Sequence, residues 1–194
     1  MTAEQVSVKV RTPVDHFIKQ LEQLGKGPRA ILRRHAGNLL SESSSVYSLF
    51  FRMYPKDQTW YDQDIYFLVA TLFPLNQHEL TGDLGDTLRS VRIRSDSSSL
   101  DRRMAILLDS DFDRSEGRDG GGTLSFRLRQ LIRLADSQGV GVDWRRLLAD
   151  LLFWSHPEKR VQQRWAQSYY SGWESGEKDA IDSNSGVGGQ PHVN

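Results

Sequence analysis

Phe126-Arg127-Leu128-Arg129-Gln130-Leu131-Ile132-Arg133-Leu134, followed by Gly139-Val140-Gly141-Val142-Asp143-Trp144-Arg145-Arg146-Leu147-Leu148, decides the fold class. Successive residues of an α-helix step by about 100° around its axis. On that wheel Leu124, Leu128, Leu131, Ile132 and Ala135 fall on one side. Arg129 and Arg133 fall nearly opposite, with Phe126 beside them. The glycines then break the pattern, and Asp143 caps a second helix carrying Trp144, Leu147, Leu148 and Leu151 on one face. The stretch is therefore two amphipathic helices joined by a glycine turn. Guanidinium groups beside an aromatic ring suit phosphates and stacked bases. A solvated helix face with one exposed Phe is the alternative.

Working outward, the same helical period recurs. Thr12-Pro13 is a cap and first position, Val14, Phe17, Ile18, Leu21 and Leu24 follow at helical spacing, and Gly25 ends the run. Gly27-Pro28 opens a second helix with Ile31, Leu32, Ala36, Leu39 and Leu40 inward and Arg29, Arg33 and Arg34 outward. A third spans about Ser45 to Tyr54, stopped by Pro55, with Val46, Leu49, Phe50 and Met53 as its core side. A fourth spans about Thr59 to Phe73, with Trp60, Ile65, Leu68, Val69 and Leu72 inward. Pro74 to Gly85 is a loop ending in a cap, and Leu84, Leu88 and Val91 mark a short helix. Leu100 to Asp109 buries Leu100, Met104, Leu107 and Leu108 and displays Arg102 and Arg103; Ser98 with Asp101 approximates a capping box. Ser110 to Gly122 is a polar, glycine-ended loop. Pro157 begins a last helix with Val161, Trp165 and Tyr169 at four-residue spacing. No strand-type alternation of useful length occurs.

The expected fold is all-α, two small helical bundles of about eight helices. The divisions are an N-terminal bundle over 1–94, a C-terminal bundle over 95–171 and a disordered tail over 172–194. In the tail Glu174, Glu177, Asp179 and Asp182 stand against the single Lys178, so the body is mildly basic although the whole chain is formally neutral. Of the 25 basic residues 19 are Arg, the residue whose planar fork matches phosphate and carboxylate. There is no Cys, which excludes disulfides and thiolate zinc sites and fits a reducing compartment. The N-terminal residues have no signal-peptide apolar core, and the apolar run Ile65 to Leu75 is broken by Thr71 and Pro74 and too short to span a bilayer. A soluble, cytoplasmic protein with no membrane partner is expected.

Catalytic chemistry finds little support. Asp109, Asp111 and Asp113 mimic the start of a calcium loop, but Arg114 stands where glycine is needed and Gly120 where glutamate is needed. Gly120-Gly121-Gly122 lacks the Lys-Ser/Thr of a phosphate-binding loop. His16, His35, His78, His156 and His192 have no metal-ligand spacing. Asp62 and Asp64 suit the first turn of a helix, where the dipole favours acids. No catalytic residue, metal or cofactor is expected, and the protein is not expected to be an enzyme. Trp60, Trp144, Trp154 and Trp165 are assigned to the core. What remains is a set of arginines on separate helices, including the Arg102-Arg103 pair in a first turn, where positive charge opposes the dipole.

Several segments, in order, match a known family: Ala30-Ile31-Leu32-Arg33-Arg34, Leu49-Phe50-Phe51-Arg52-Met53-Tyr54, Tyr66-Phe67-Leu68-Val69-Ala70-Thr71-Leu72-Phe73, Leu100-Asp101-Arg102-Arg103-Met104, Phe126-Arg127-Leu128-Arg129-Gln130-Leu131-Ile132, and Val142-Asp143-Trp144 through Phe153-Trp154. Over roughly Pro13 to Tyr170 the chain resembles the small subunit of the type I-E CRISPR surveillance complex Cascade, the CasB family. The resemblance implies an all-α, non-catalytic subunit of a ribonucleoprotein complex in antiviral defence. It implies two copies per complex, lying along the crRNA-bound backbone and meeting the other Cascade subunits, including the large subunit. Its implied task is to stabilise crRNA and target DNA and to hold the displaced non-target strand of the R-loop through phosphate contacts that read no sequence. Arg33, Arg34, Arg52, Arg102, Arg103, Arg127 and Arg129 carry over as nucleic-acid-binding residues. Arg133 joins them from its place on the helix face. The rival reading is an all-α adaptor whose arginines pair with acidic protein surfaces.

Overall fold

The computed structural model describes residues 12–95, 99–112 and 122–171. Among these the chain forms nine α-helices: α1 Pro13–Glu22, α2 Lys26–Arg34, α3 Tyr47–Met53, α4 Gln63–Leu72, α5 Leu84–Ser95, α6 Ser99–Leu108, α7 Gly122–Ser137, α8 Trp144–Leu152 and α9 Arg160–Tyr170. No strand occurs among them, as the sequence periods require. The expected disordered tail, the acid at position 113 and the glycine run 120–121 lie outside the described residues.

The helix starts follow local chemistry. Thr12 and Asp15 exchange side-chain-to-backbone hydrogen bonds at 3.1 and 3.2 Å, which satisfies donors that the first turn leaves open. Asp143 Oδ1 accepts from the Arg146 amide at 2.9 Å. Asp83 and Asp86 form the same reciprocal pair before α5, each carboxylate accepting the other's amide at 3.1 and 3.2 Å. That pair starts a helix longer than the short one expected, because it runs on through Arg94 to Ser95.

Two helix starts and one helix end differ from the sequence reading. α4 begins at Gln63, after a 3-10 turn over Trp60–Asp62. A 3-10 turn advances about 120° per residue rather than 100°, which swings Trp60 off the α4 stripe. Trp60 is 65% exposed and is no core residue. Phe73–Leu75 is a second, buried 3-10 turn rather than the opening of a loop. α9 starts at Arg160, not Pro157, because Lys159 takes a left-handed φ of 48° that no α-helix continues through.

The buried apolar side chains form one cluster running from Phe17 to Tyr169. α4 is buried from Ile65 to Leu72 and is flanked by α2, α7 and α8. α8 also packs on α1, α7 on α5 and α6, and α5 runs against α9. Helices from both sides of residue 95 thus share one core. Trp144 tilts against Phe73 with ring centroids 5.4 Å apart, and Trp154 against Trp165 at 4.9 Å. Trp154 donates Nε1–H to the Ser110 carbonyl at 2.9 Å and Trp165 to Asp150 at 2.7 Å, so both indoles are buried with a satisfied polar edge.

On α2 the inward residue is Leu32, followed by buried Ala36 just past the helix end, while Ile31, expected inside, is 43% exposed. Arg29 takes the inward place instead. Its guanidinium donates to Gln77 and to the Glu22 carbonyl and lies 5.6 Å from the Phe73 ring centroid. A long aliphatic stem lets Arg cover apolar surface while its head finds acceptors.

Candidate nucleic-acid interface

The arginines divide into three groups. One group is engaged inside the fold. Arg145 pairs with Asp15 at 3.7 Å and Glu22 at 2.7 Å, clamping α8 to α1. Arg146 and Arg164 meet on buried Asp150, and Arg164 also reaches Asp83 at 3.6 Å. Arg92 pairs with Asp101 at 3.3 Å. Arg94 donates to the Gln138 and Gly139 carbonyls at 2.7 and 2.9 Å, where α7 ends. Arg89 bonds Asp86 and Ser171. These guanidinium groups are engaged where they stand, all but Arg94 by at least one carboxylate.

The second group is Arg33, Arg34, Arg52, Arg102, Arg103 and Arg133. All six are exposed, and none has a hydrogen-bond or ion-pair partner among the described residues. A guanidinium left in water retains its full capacity for phosphate.

Arg127 and Arg129 differ. Both are half-buried, and their guanidinium carbons lie 5.7 and 5.5 Å from the centroid of the Phe126 ring. Phe126 is 36% exposed. Arg129 Nη1 also donates to the Ala36 carbonyl at 3.2 Å, and Arg127 Nε is buried with no acceptor among the described residues.

That Arg129 bond joins α7 to the end of α2. Gly37 turns the chain there with a φ of +85°, a backbone that L side chains rarely adopt; a Cβ at this position would make only ordinary contact, 3.4 Å from Arg129 Cδ and 3.6 Å from the Ser125 carbonyl. Arg33 and Arg34 occupy the last turn of α2. The fold therefore brings the end of α2 against the aromatic and basic face of α7, with Arg133 one turn further along. Arg102 and Arg103 stand at the start of α6, which packs on α7 and α9. Asp101 beside them is already engaged by Arg92 and by the Tyr169 hydroxyl at 2.7 Å. Burial and that acceptor hold the Tyr169 hydroxyl protonated, far above its ordinary range. Arg52 is on α3, which packs on α1. Among the described residues no hydrogen bond or ion pair of its own joins it to the α2–α7 group.

Other sites offer less. An open cleft of about 830 Å³ is lined by Arg29, His78, Trp144, Arg145 and Arg146, but its arginines are the ones already paired within the chain. Among the described residues no group of three or more acids and histidines could hold a metal ion. No described helix is long and apolar enough to cross a membrane. Sequence reasoning missed the exposed pair Trp60 and Tyr61, whose rings stack with centroids 3.7 Å apart.

A sequence model of the CRISPR-associated protein Cse2 family matches residues 28–170. The Cse2 protein of Thermus thermophilus is 35% identical over 119 residues, which span 60% of this chain and 62% of that protein. The crystal structure of CasB from M. ruber superposes with a TM-score of 0.65 at 25% identity, covering 88% of this chain and 98% of that one. The crystal structure of a Cse2-family protein from Thermus thermophilus gives a TM-score of 0.63 at 30% identity over 82% of this chain and 98% of its own. A chain of a CRISPR RNA-guided surveillance complex shares the fold, with a TM-score of 0.66 at 19% identity over 87% of this chain and 97% of its own. With its matched segment covering α2 through α9, this chain belongs to the CRISPR-associated Cse2 (CasB) family.

Proposed function

We propose that this chain is a non-catalytic small subunit of a CRISPR RNA-guided DNA surveillance complex of the Cascade type. It stabilises crRNA and target DNA and holds the displaced non-target strand, and it works in the cytoplasm beside the other Cascade subunits and a second copy of itself. Arg33, Arg34, Arg52, Arg102, Arg103, Arg127, Arg129 and Arg133 are its phosphate contacts. One observation carries this reading: six of these eight arginines are exposed with no hydrogen-bond or ion-pair partner among the described residues, whereas Arg89, Arg92, Arg94, Arg145, Arg146 and Arg164 are engaged by carboxylates and carbonyls of the fold. Such contacts fix the position of a strand and carry no base sequence.

The test is an assembled complex carrying Arg102→Ala and Arg103→Ala together. Both side chains are exposed, so melting temperature and assembly should match wild type. Protection of the displaced strand from a single-strand nuclease should fall. Full protection in the double variant would remove this pair from the path, and full protection in variants at all the named pairs would reject the reading.

A further inference from the structure

Trp60 and Tyr61 are 65% and 56% exposed, stacked on each other at 3.7 Å with an interplanar angle of 29°. Large aromatic rings are among the costlier groups to leave in water, and two together form a patch rather than scattered exposure. The turn that carries the pair is closed by hydrogen bonds. The Tyr54 hydroxyl donates to the Thr59 carbonyl at 2.7 Å, Thr59 Oγ1 donates to Asp62 at 2.8 Å, and the Asp62 amide donates back to the Thr59 carbonyl at 3.0 Å. These bonds fix the backbone from which the two rings project.

The surrounding charge selects the kind of partner. Asp57 and Asp62 outnumber Lys56 along this stretch, and Asp64, which follows them, already has an interaction within the chain. A phosphate backbone would be repelled there; a guanidinium or ammonium would be attracted both by the carboxylates and by the open face of the Trp60 ring. Tryptophan and tyrosine at the centre of a patch, ringed by polar groups, are also the residues that dominate protein–protein affinity. We propose that Trp60 and Tyr61 form a docking knob for another protein subunit, which covers the rings and sets an Arg or Lys against Trp60 and the neighbouring carboxylates. The inference rests on the reading of this chain as a subunit of a protein assembly, and not on which nucleic acid it holds.

The experiment uses the full chain co-expressed with the other subunits of its own CRISPR complex and a guide RNA. p-Benzoylphenylalanine replaces Trp60, and irradiation of the purified complex traps what lies on it. The expected product joins this chain to a different protein subunit, at a peptide next to an Arg or Lys. A product with RNA or DNA, a product with a second copy of this chain, or no product overturns the inference. In parallel, Trp60→Ala with Tyr61→Ala should reduce retention in the complex by about tenfold or more, the order expected for losing a hot spot. Single-stranded DNA binding by the free variant should equal wild type. Wild-type retention of that variant overturns the docking knob alone. A wild-type chain that does not co-purify with those subunits overturns the assembly reading and the knob together.

Discussion

Single residues in this protein are often decided by what their polar atoms can reach. Tyr66 is 0% exposed, and its hydroxyl has no hydrogen-bond partner among the described residues. Its ring packs edge-on against Phe17 at 4.8 Å and Tyr54 at 5.3 Å, so the aromatic body stabilises this position and the hydroxyl does not. Removing a buried, unsatisfied hydroxyl while keeping the ring should stabilise the fold by about 1 kcal/mol at neutral pH. Tyr66→Phe tests this by denaturant midpoint. The same tyrosine also shapes alkaline behaviour. Burial, aided by Tyr54 and Asp62, pushes Tyr66 up to about 12, and burial with Asp62 pushes Tyr54 to the same value. In the unfolded chain both ionise near their ordinary value of 10.0. Between those values the unfolded state releases protons that the folded state keeps, so stability is intact below about pH 10 and falls toward pH 12. Tyr66→Phe should flatten that decline. An unchanged alkaline slope would show that Tyr66 does not ionise on unfolding in this range.

At the scale of elements, the tightest contact is α5 against α9, and it depends on the absence of one side chain. A Cβ added at Gly85 would sit well inside contact distance of the Trp165 carbonyl and 2.9 Å from Ser168 Cβ. Gly85 has an ordinary helical backbone, so the constraint is proximity of the second helix. Gly85→Ala should push α5 and α9 apart and cost about 1–3 kcal/mol, the usual range for overpacking. It should also loosen the Arg164–Asp83 and Ser168–Asp83 contacts, the latter 2.9 Å, that span the same seam. A denaturation midpoint equal to wild type would mean the helices separate at no cost. Contacts of this kind mark where the sequence stops being legible. Helix starts at Thr12 and Asp143 were readable because caps act within three residues. The stripes of α7, α8 and α9 were readable because burial follows the helical period. Trp60 was misplaced because a 3-10 turn changes that period over three residues. Arg29 and Ile31 exchanged sides because the acceptors of Arg29, on Glu22 and Gln77, come from other elements. Arg145 gave no sign of its partners, since Asp15 and Glu22 lie at the opposite end of the sequence.

For the whole molecule the balance of charge matters more than any one contact. The chain is formally neutral, so no broad positive field draws nucleic acid from a distance, and binding must come from local phosphate contacts that displace counterions. The arrangement makes this testable because the fold has already sorted its arginines. Arg33 and Arg34 end α2, beside the face of α7 that carries Phe126 and Arg129, and have no intrachain partner among the described residues. Arg145 and Arg146 are equally adjacent in sequence but neutralised by Asp15, Glu22 and Asp150. If about three to five phosphates are neutralised, the affinity of the free chain for single-stranded DNA should fall with a slope of roughly −2 to −3.5 in log K against log salt. Arg33→Ala with Arg34→Ala should flatten that slope by about 1.4, some 0.7 for each lost contact, and leave the melting temperature nearly unchanged. Arg145→Ala with Arg146→Ala should do the reverse: the slope stays, and the fold loses stability because Asp150 keeps a buried charge with one counterion fewer. Slopes measured by fluorescence anisotropy on strands of several sequences would separate the two pairs. Equal flattening by both, or by neither, would mean that freedom from intrachain partners does not predict phosphate binding, and would shift the balance toward arginines that meet acidic protein surfaces.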